Sequence, residues 1–406
     1  MKDIVVAAVA LFLGALGPQS YQQSSFDPLW MLGMVVLLAY SFGRLARLLH
    51  LPSMVGWICA GLVVGSSGLE LVSLQENDTL LLVRQAAVVW VGFQVGLHVW
   101  PLSWLDWKRV GVVLGSTLGV WAIVSASCVL LLGVPWWFAL LLGALSCMWE
   151  PFTGMPAARR HRAIQVGVVG SAVSLLVMQV ELLWLAAVGT LGEDVFPFVG
   201  RFFASLLIGA LAAGVVRTFS LLPKSVHGLL LGLFVACCAS ALLFNVVQLH
   251  PLPFGFAAGA VLAQGASWRR RLRYILFRIG PMPLLLYFAL LGATLNVRVL
   301  NAPQSGLLVV LMVSMGALFV LRGIIPALYL RLRGRLQHDL GWELLPRGVL
   351  LFELCYAVDF GLLDVLTGPQ AILWQQYILS DILISALFYA VLARLAFYLS
   401  TRSARK

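Results

Sequence analysis

Charged side chains are scarce in this sequence, and they do not gather into a long hydrophilic stretch. Only 11% of the 406 residues are Asp, Glu, Lys or Arg, whereas charged residues make up about 25% of a typical soluble domain. Hydrophobic residues make up 61% of the chain, and the mean hydropathy is +0.98. These values exclude a soluble globular domain and indicate a polytopic membrane protein.

Strand-period alternation and long loops are also lacking. The apolar runs approach the roughly 20 residues that a membrane-spanning helix needs, so the spans are predicted to be helices and not barrel strands. No GxGxxG motif follows a strand, so no nucleotide-binding module is predicted. No loop is long enough to hold a soluble active site, and no nucleophile and base pair stands out. The sequence therefore does not indicate an enzyme or a cofactor.

The cysteines have no pattern that suggests a disulfide frame or a metal site. All six lie within apolar runs and lack metal-ligand spacing, which predicts that they are small packing residues. They are Cys59, Cys128, Cys147, Cys237, Cys238 and Cys355.

Basic residues alternate with acidic ones from loop to loop. The basic loops carry Arg44/Arg47, Lys108/Arg109, 159–162, Arg217/Lys224, 269–273, 331–335 and the tail at 402–406. The loops between them carry Glu70/Glu76/Asp78, Glu193/Asp194 and Asp364. This positive-inside pattern predicts a multi-pass protein of a bacterial inner membrane with a cytoplasmic C-terminus. It also argues against nucleic acid as the partner that the net charge of +11 suggests.

The hydrophobic runs predict an all-α protein with thirteen or fourteen transmembrane helices. The first run, at about 4–17, is short and is either a leader or an extra span. Residues 1–28 form a short N-terminal segment and external loop, 29–399 form the transmembrane domain, and 400–406 form a basic cytoplasmic tail. One of the early runs is expected at about 53–72.

Two parts of the transmembrane domain resemble each other. Gly61, in the run from Leu51 to Gly61, matches Gly259, and Gly96 matches Gly292. The matched glycines are 35 residues apart in the first part and 33 in the second. Seven spans separate equivalent helices, and an odd number predicts halves that are inverted in the membrane, at about 29–190 and 226–399 with a linker helix at 196–217. Inverted halves are typical of secondary transporters.

The ordered motifs resemble the monovalent cation:proton antiporter superfamily, which includes the sodium/hydrogen exchangers. They are the run from Leu51 to Leu69, Phe93-x-x-Gly96-Leu97, Phe256-x-x-Gly259, Phe288 to Gly292, and Pro346-Arg347-Gly348. The resemblance implies an inverted-repeat fold with a dimerisation domain and a core domain. In the core, two broken helices cross beside an ion-binding acid. It also implies a homodimer formed by the early helices and the helix near 226–248.

This chain departs from the family at the working positions. Trp149-Glu150-Pro151 stands where the family breaks its first crossing helix, and the usual aspartate of the next span is missing. Gln179 is followed by Val180, and the carboxylate is displaced to Glu181, which is about 100° around the helix.

Other working positions differ as well. His98 stands where the family has an acid. Arg347-Gly348-Val349 replaces Arg-Gly-Glu in the second crossing helix, with an acid only at Glu353.

A buried carboxylate in an apolar helix is expensive and by default marks an ion or proton site with a partner of opposite charge. The predicted ion- and proton-binding residues are therefore Glu181, Glu150 and Gln179. Arg322 is the predicted charge partner of Glu181, with Glu150 as the competing partner. Secondary candidates are Arg347, Glu353, His98 and Asp381, and the predicted helix breaks are Pro151 and Gly348. Each acid has the alternative of a purely structural or interfacial charge.

Two functions remain open from the sequence. The first is exchange of Na⁺ or K⁺ for protons by alternating access. The second is a transporter-derived scaffold, sensor or partner subunit that has lost its ion site and acts on another protein. The missing aspartate favours the second, and the retained buried charges favour the first.

Overall fold

Nine α-helices account for nearly all of the described residues in this computed structural model. The described residues are 28–49, 53–65, 68–69, 78–99, 107–146, 177, 180, 183–184, 187, 195–218, 232, 235–237, 239–240, 249–265, 272, 281–294, 306–318 and 320–321. The helices are α1 (Pro28–Leu48), α2 (Ser53–Val64), α3 (Asp78–Val99), α4 (Trp107–Leu132), α5 (Trp136–Ser146), α6 (Val195–Thr218), α7 (Pro251–Ala263), α8 (Pro281–Thr294) and α9 (Leu307–Leu318).

Three of these helices are long and apolar enough to cross a membrane. Their apolar windows are Met31–Leu48 in α1, Leu114–Leu132 in α4 and Val199–Thr218 in α6. Helices α2, α7 and α8 and the central part of α3 are shorter but equally apolar. The described part of the chain thus has the helical character that the composition predicts.

The end of α2 differs from the sequence-based expectation. The apolar run continues to about residue 72, but the helix ends at Val64. Gly65 and Gly68 follow, and the chain turns there so that the Leu69 N–H donates to the Val63 oxygen at 2.7 Å. Glycine relieves the steric limits on a tight turn, so these two residues end the helix before the predicted run does.

The described helices pack as two groups. One, the six-helix group, contains α1, α2, α3, α6, α7 and α8. The other, the three-helix group, contains α4, α5 and α9. Among the described helices, packing is extensive within each group and sparse between them.

Helix α3 is the centre of the six-helix group. Its first turn packs through Leu80 with buried residues of α1, α2 and α8, and its later turns pack through Val89, Phe93 and Leu97 with α6 and α7. The helix therefore serves two hydrophobic cores, one on each side.

Backbone contact at glycines joins α2 to α8. A methyl group on Gly61 would meet the carbonyl oxygen of Ala289, and one on Gly292 would meet the carbonyl oxygen of Ile58. Gly61 lies against Ala289, and Gly65, four residues later and just beyond the end of α2, lies against Ala293 of α8. Later positions along the first chain segment therefore contact later positions along α8. The two helices are therefore parallel.

Helices α3 and α7 repeat this contact. A methyl group on Gly259 would meet the carbonyl oxygen of Phe93, and one on Gly96 would meet that of Phe256. In both pairs of helices, each glycine faces the oxygen of the residue three positions before the partner glycine. The two contacts are equivalent when α2 is exchanged for α7 and α3 for α8.

These directions confirm the inverted repeat. Consecutive membrane spans such as α2 and α3 run in opposite directions. Because α8 is parallel to α2, it runs opposite to α3, which is its counterpart in the sequence. The repeated elements therefore have opposite orientations, as the odd number of spans between them predicts.

Hydrogen bonds attach α6 to α7 at both ends of α7. The backbone N–H of His250 donates to Ser205 Oγ at 2.8 Å, and Ser205 Oγ donates to the Arg201 oxygen at 2.6 Å. At the other end, Arg217 Nη1 donates to Gln264 Oε1 at 2.7 Å and to the Val261 oxygen. Helix α6 is thus a fixed part of the six-helix group.

We expect Gly61→Ala and Gly96→Ala to destabilise the protein by similar amounts, about 1–3 kcal/mol each, since a methyl group at either site overpacks an equivalent backbone contact. Gly115→Ala in α4 is the matched control, because nothing lies within 4 Å of a methyl group there. Thermal unfolding of the detergent-solubilised variants measures the effect. A Gly115→Ala variant as unstable as the other two would contradict this explanation.

Candidate functional site

The described residues include little of the predicted ion site itself. Glu150, Pro151, Gln179, Glu181, Arg322, Arg347, Gly348, Glu353 and Asp381 all lie outside the described residues. His98 is the penultimate residue of α3, so the backbone position fits a polar residue at a helix end. The described helices that precede these residues in the chain determine from which side the chain approaches them.

Helix α4 is the centre of the three-helix group, and α5 lies antiparallel to it. The two helices form a hairpin through Gly133, whose φ of 61° favours glycine. A methyl group on Gly143 of α5 would meet Ser125 Oγ and would lie 2.8 Å from the Trp121 oxygen. Gly143 is thus level with residues 121–125 of α4. Because the helices are antiparallel, the end of α5 at Ser146, three residues later, lies near the level of Val120.

Helix α9 is also antiparallel to α4. Near its beginning, a methyl group on Gly306 would lie 2.8 Å from the Leu131 oxygen at the end of α4. Beyond its end, Leu321 Cδ1 would lie 2.9 Å from a methyl group on Gly119. Helices α5 and α9 therefore run in the same direction, and both lead to the N-terminal half of α4.

Two of the predicted charged residues, Glu150 and Arg322, follow shortly after described residues of the three-helix group. Glu150 follows Ser146 by four residues, and Arg322 directly follows Leu321. Ser146 and Leu321 lie at nearly the same level of α4, one beside Val120 and the other beside Gly119. The chain thus approaches both charged residues from the same end of the three-helix group.

Buried hydroxyl groups line the interior of this group. Thr117, Trp121 and Ser125 follow one another at four-residue spacing on α4, which places them on one face. Ser314 of α9 is fully buried, and the register between Gly306 and Leu321 sets it near the level of Ser125. Hydroxyl groups both donate and accept hydrogen bonds, so this face suits water, protons or a partly dehydrated cation.

Two polar atoms on this face lack a hydrogen-bond partner within the described part of the chain. They are Ser125 Oγ, in a residue that is 6% exposed, and Trp121 Nε1. A buried polar group without a partner costs about 1–3 kcal/mol. Sequence reasoning missed this face, although polar groups at Thr117, Trp121 and Ser125, each four residues from the next in an apolar helix, are a visible signal.

A second feature missed from the sequence is a set of polar side chains buried in α3. Arg84 is 3% exposed, Gln85 is 1% exposed and Gln94 is 5% exposed. Charged residues within apolar spans are by default functional, and Arg84 stands out in the sequence as such a residue. Arg84 and Gln94 lie within about 80° of each other on the helix, whereas Gln85 lies on the opposite face from Gln94.

The stretch around Glu181 is described through a few of its neighbours. Trp184 contacts Trp136 at the beginning of α5, with 5.2 Å between ring centroids at 58°. Val180 is 64% exposed and Trp184 is 49% exposed. Trp184 therefore lies at the opposite end of α5 from the end that leads to Glu150.

Among the described residues, no group of three or more His, Cys, Asp or Glu side chains could hold a metal ion. Cys59 and Cys128 are free thiols in this part of the chain.

Comparison with known proteins identifies the fold. No family model matches the chain, and no curated protein matches it. The chain is similar to the solved structure of the sodium proton antiporter MjNhaP1 from Methanocaldococcus jannaschii at pH 8. The TM-score is 0.61 at 17% sequence identity, over 89% of this chain and 98% of that one. The chain therefore has the all-helical fold of this antiporter, as the sequence motifs predicted.

We expect Ser125→Ala to leave the free energy of unfolding unchanged or to raise it by up to about 1 kcal/mol, because it removes a buried hydroxyl that lacks a partner. Ser205→Ala is the contrasting variant, and it should cost about 1 kcal/mol because Ser205 joins α6 to His250. Thermal unfolding in detergent measures both. A larger loss for Ser125→Ala than for Ser205→Ala would contradict the assignment of partners.

Proposed function

We propose that the protein is a secondary-active transporter that exchanges a monovalent cation, Na⁺ or K⁺, for protons by alternating access. The similarity in fold to a sodium proton antiporter supports this. The observation that carries the proposal is the division of the described helices into two groups that pack sparsely against each other. Two groups of described helices that pack sparsely against each other suit a mechanism in which one group moves against the other.

In this mechanism the three-helix group belongs to the moving core and the six-helix group to the scaffold. Protons and the cation compete for Glu181, Gln179 and Glu150, and Arg322 neutralises the acids when the site is empty. Pro151 and Gly348 break the two crossing helices. Secondary roles in proton relay or charge balance fall to Arg347, Glu353, His98 and Asp381.

Within this site we propose Glu150, the competing partner in the sequence-based prediction, as the first partner of Arg322 in place of Glu181. Glu150 and Arg322 both follow chain positions at the same level of α4. Trp184, three residues after Glu181, contacts the beginning of α5, which is about 15 Å from its end at 1.5 Å per residue. Glu181 then carries the transported proton, and Gln179 contributes a neutral polar group to the same site.

The membrane orientation follows from charge and helix direction. Helices α3, α6 and α7 are parallel, so their C-terminal ends share one side. The chain after these ends carries Lys108 and Arg109, Lys224, and the basic run at 269–273. This supports an inner-membrane protein with these loops and the C-terminus in the cytoplasm.

The assembly proposed with this function is a homodimer whose face includes the early helices and the helix near 226–248. The alternative function is a scaffold, sensor or partner subunit without ion exchange. The departures from the family motif at Val180, His98 and Val349 favour this alternative. Flux measurements separate the two functions.

We expect everted vesicles that contain the protein to show cation-dependent proton flux, with Na⁺ and K⁺ tested separately. Glu181→Gln should abolish the pH dependence of exchange while the protein stays folded, because the amide does not release a proton. Vesicles without the protein are the control. Absence of flux with either ion, in protein that is folded and correctly inserted, would leave the scaffold function.

We expect Glu150→Gln to destabilise the protein because it removes the countercharge of Arg322, and Glu150→Gln/Arg322→Gln to restore much of the loss. Removing one partner of a buried pair costs about 3–5 kcal/mol, whereas removing both is much less costly. Thermal unfolding of the two single variants and the double variant gives the coupling free energy. Additive effects would refute the pairing, and the same cycle with Glu181→Gln shows whether Arg322 pairs there instead.

A further inference from the structure

Ser125 of α4 holds its side chain differently from several other helical serines. Ser41, Ser127 and Ser205 each donate a hydrogen bond to the carbonyl oxygen four residues before them. Serine within a helix commonly makes this bond. Ser125 Oγ makes no such bond and has no hydrogen-bond partner within the described part of the chain, although the residue is only 6% exposed. The hydroxyl is therefore not directed at the carbonyl oxygen of Trp121.

The Ser125 hydroxyl faces α5 instead. A methyl group on Gly143 would meet Ser125 Oγ and would lie 2.8 Å from the Trp121 carbonyl oxygen. Two oxygen atoms of α4 thus border the same point of α5. A hydroxyl oxygen has two lone pairs, and a carbonyl oxygen that accepts one helical hydrogen bond has a second lone pair. Ser314 of α9, which is fully buried, adds another hydroxyl near this level.

Ser125 lies between the approaches of the chain to the two predicted acids, Glu181 and Glu150. The approach to Glu181 is at the beginning of α5, where Trp184 makes its contact. The approach to Glu150 is beyond the end of α5, seven residues after Gly143. Gly143 itself is about 10 Å along α5 from its beginning, at 1.5 Å per residue. A cation that moves from one acid to the other thus passes the level of Ser125.

We propose that Ser125 is a ligand of the transported cation. Its Oγ coordinates the partly dehydrated ion between the two acids, in the way that protein oxygen atoms replace the hydration shell of an ion in a channel. A buried hydroxyl without a partner is costly in the ion-free protein, and ion binding removes that cost. Ser125 therefore adds to the ion affinity and not to the stability of the ion-free protein. This role of Ser125 rests on the proposed cation exchange.

A resident water molecule is the other occupant that this position accepts. Trp121 Nε1 also lacks a partner among the described residues, and one water molecule is able to bond to both side chains. The predicted carboxylates on either side favour a cation over a neutral molecule at the level of Ser125. A resident water would stabilise the protein whether or not ions are present, so the two occupants are distinguishable by experiment.

The test is ion-dependent stabilisation of the full chain in detergent at alkaline pH, where carboxylates are ionised. The unfolding temperature is followed while NaCl or KCl replaces choline chloride at constant ionic strength. We expect the transported ion to raise the unfolding temperature of the wild-type protein. Ser125→Ala should raise the half-saturating ion concentration by about tenfold, which corresponds to the loss of one contact to a charged group. Without the ion, its unfolding temperature should not fall.

Ser127→Ala is the matched control. It removes a hydroxyl from the same helix, two residues away, but one that is bonded to the Ile123 oxygen at 2.7 Å, so its half-saturating ion concentration should equal that of the wild-type protein. Ser125→Cys nearly retains the volume of the side chain but offers sulfur, which is a poor ligand for hard cations. It should behave as Ser125→Ala does, and it replaces that variant if the alanine substitution does not fold.

The outcomes separate the ligand from the proposed function. If the wild-type protein responds to Na⁺ or K⁺ and Ser125→Ala responds at the same concentration, Ser125 is not a ligand, although cation exchange stands. A lower unfolding temperature of Ser125→Ala without ions, with an unchanged ion response, would assign the position to a resident water. If flux is present without stabilisation, the half-saturating concentration for flux is compared in the same way. If the wild-type protein shows neither, the proposed exchange fails and this role of Ser125 fails with it.

Discussion

The six-helix group depends on backbone atoms coming close together at glycines. In a membrane, burying apolar side chains between helices gains little, because lipid tails are as apolar as leucine. Close packing and weak contacts between backbones then provide much of the attraction between helices. Gly61 with Gly292 and Gly96 with Gly259 allow this approach twice, in the same geometry.

The glycine contacts also determine how the two halves of the chain are combined. Helix α2 of the first half contacts α8 of the second, and α3 contacts α7. The three-helix group is mixed in the same way, since α4 and α5 come from the first half and α9 from the second. Neither group is a structural copy of one half, and each contains parts of both.

The sequence predicted the helices, the repeat and the fold, because all three depend on features that are readable along the chain. Apolar runs locate spans, and recurring glycines such as Gly61 and Gly259 reveal the repeat.

The sequence did not predict how the helices divide into groups. Lipid-facing and core-facing sides are both apolar, so a helix such as α7 has no polar side from which its contacts can be read. The sequence-based site did not include the hydroxyl face at Ser125 or the buried Arg84. That site was built on carboxylates in apolar helices, and neither residue carries one. The predicted run extends past the end of α2 because Leu69, Leu71 and Val72 follow the turn at Gly65 and Gly68.

The parallel contact between α2 and α8 has a consequence for biogenesis. Gly61 and Gly292 are 231 residues apart, and a chain that is inserted from its N-terminus has α2 and α3 in the bilayer long before α7 and α8 are synthesised. During that interval the glycine faces of α2 and α3 border lipid. The first half is then an incomplete assembly, and only the second half covers its glycine faces.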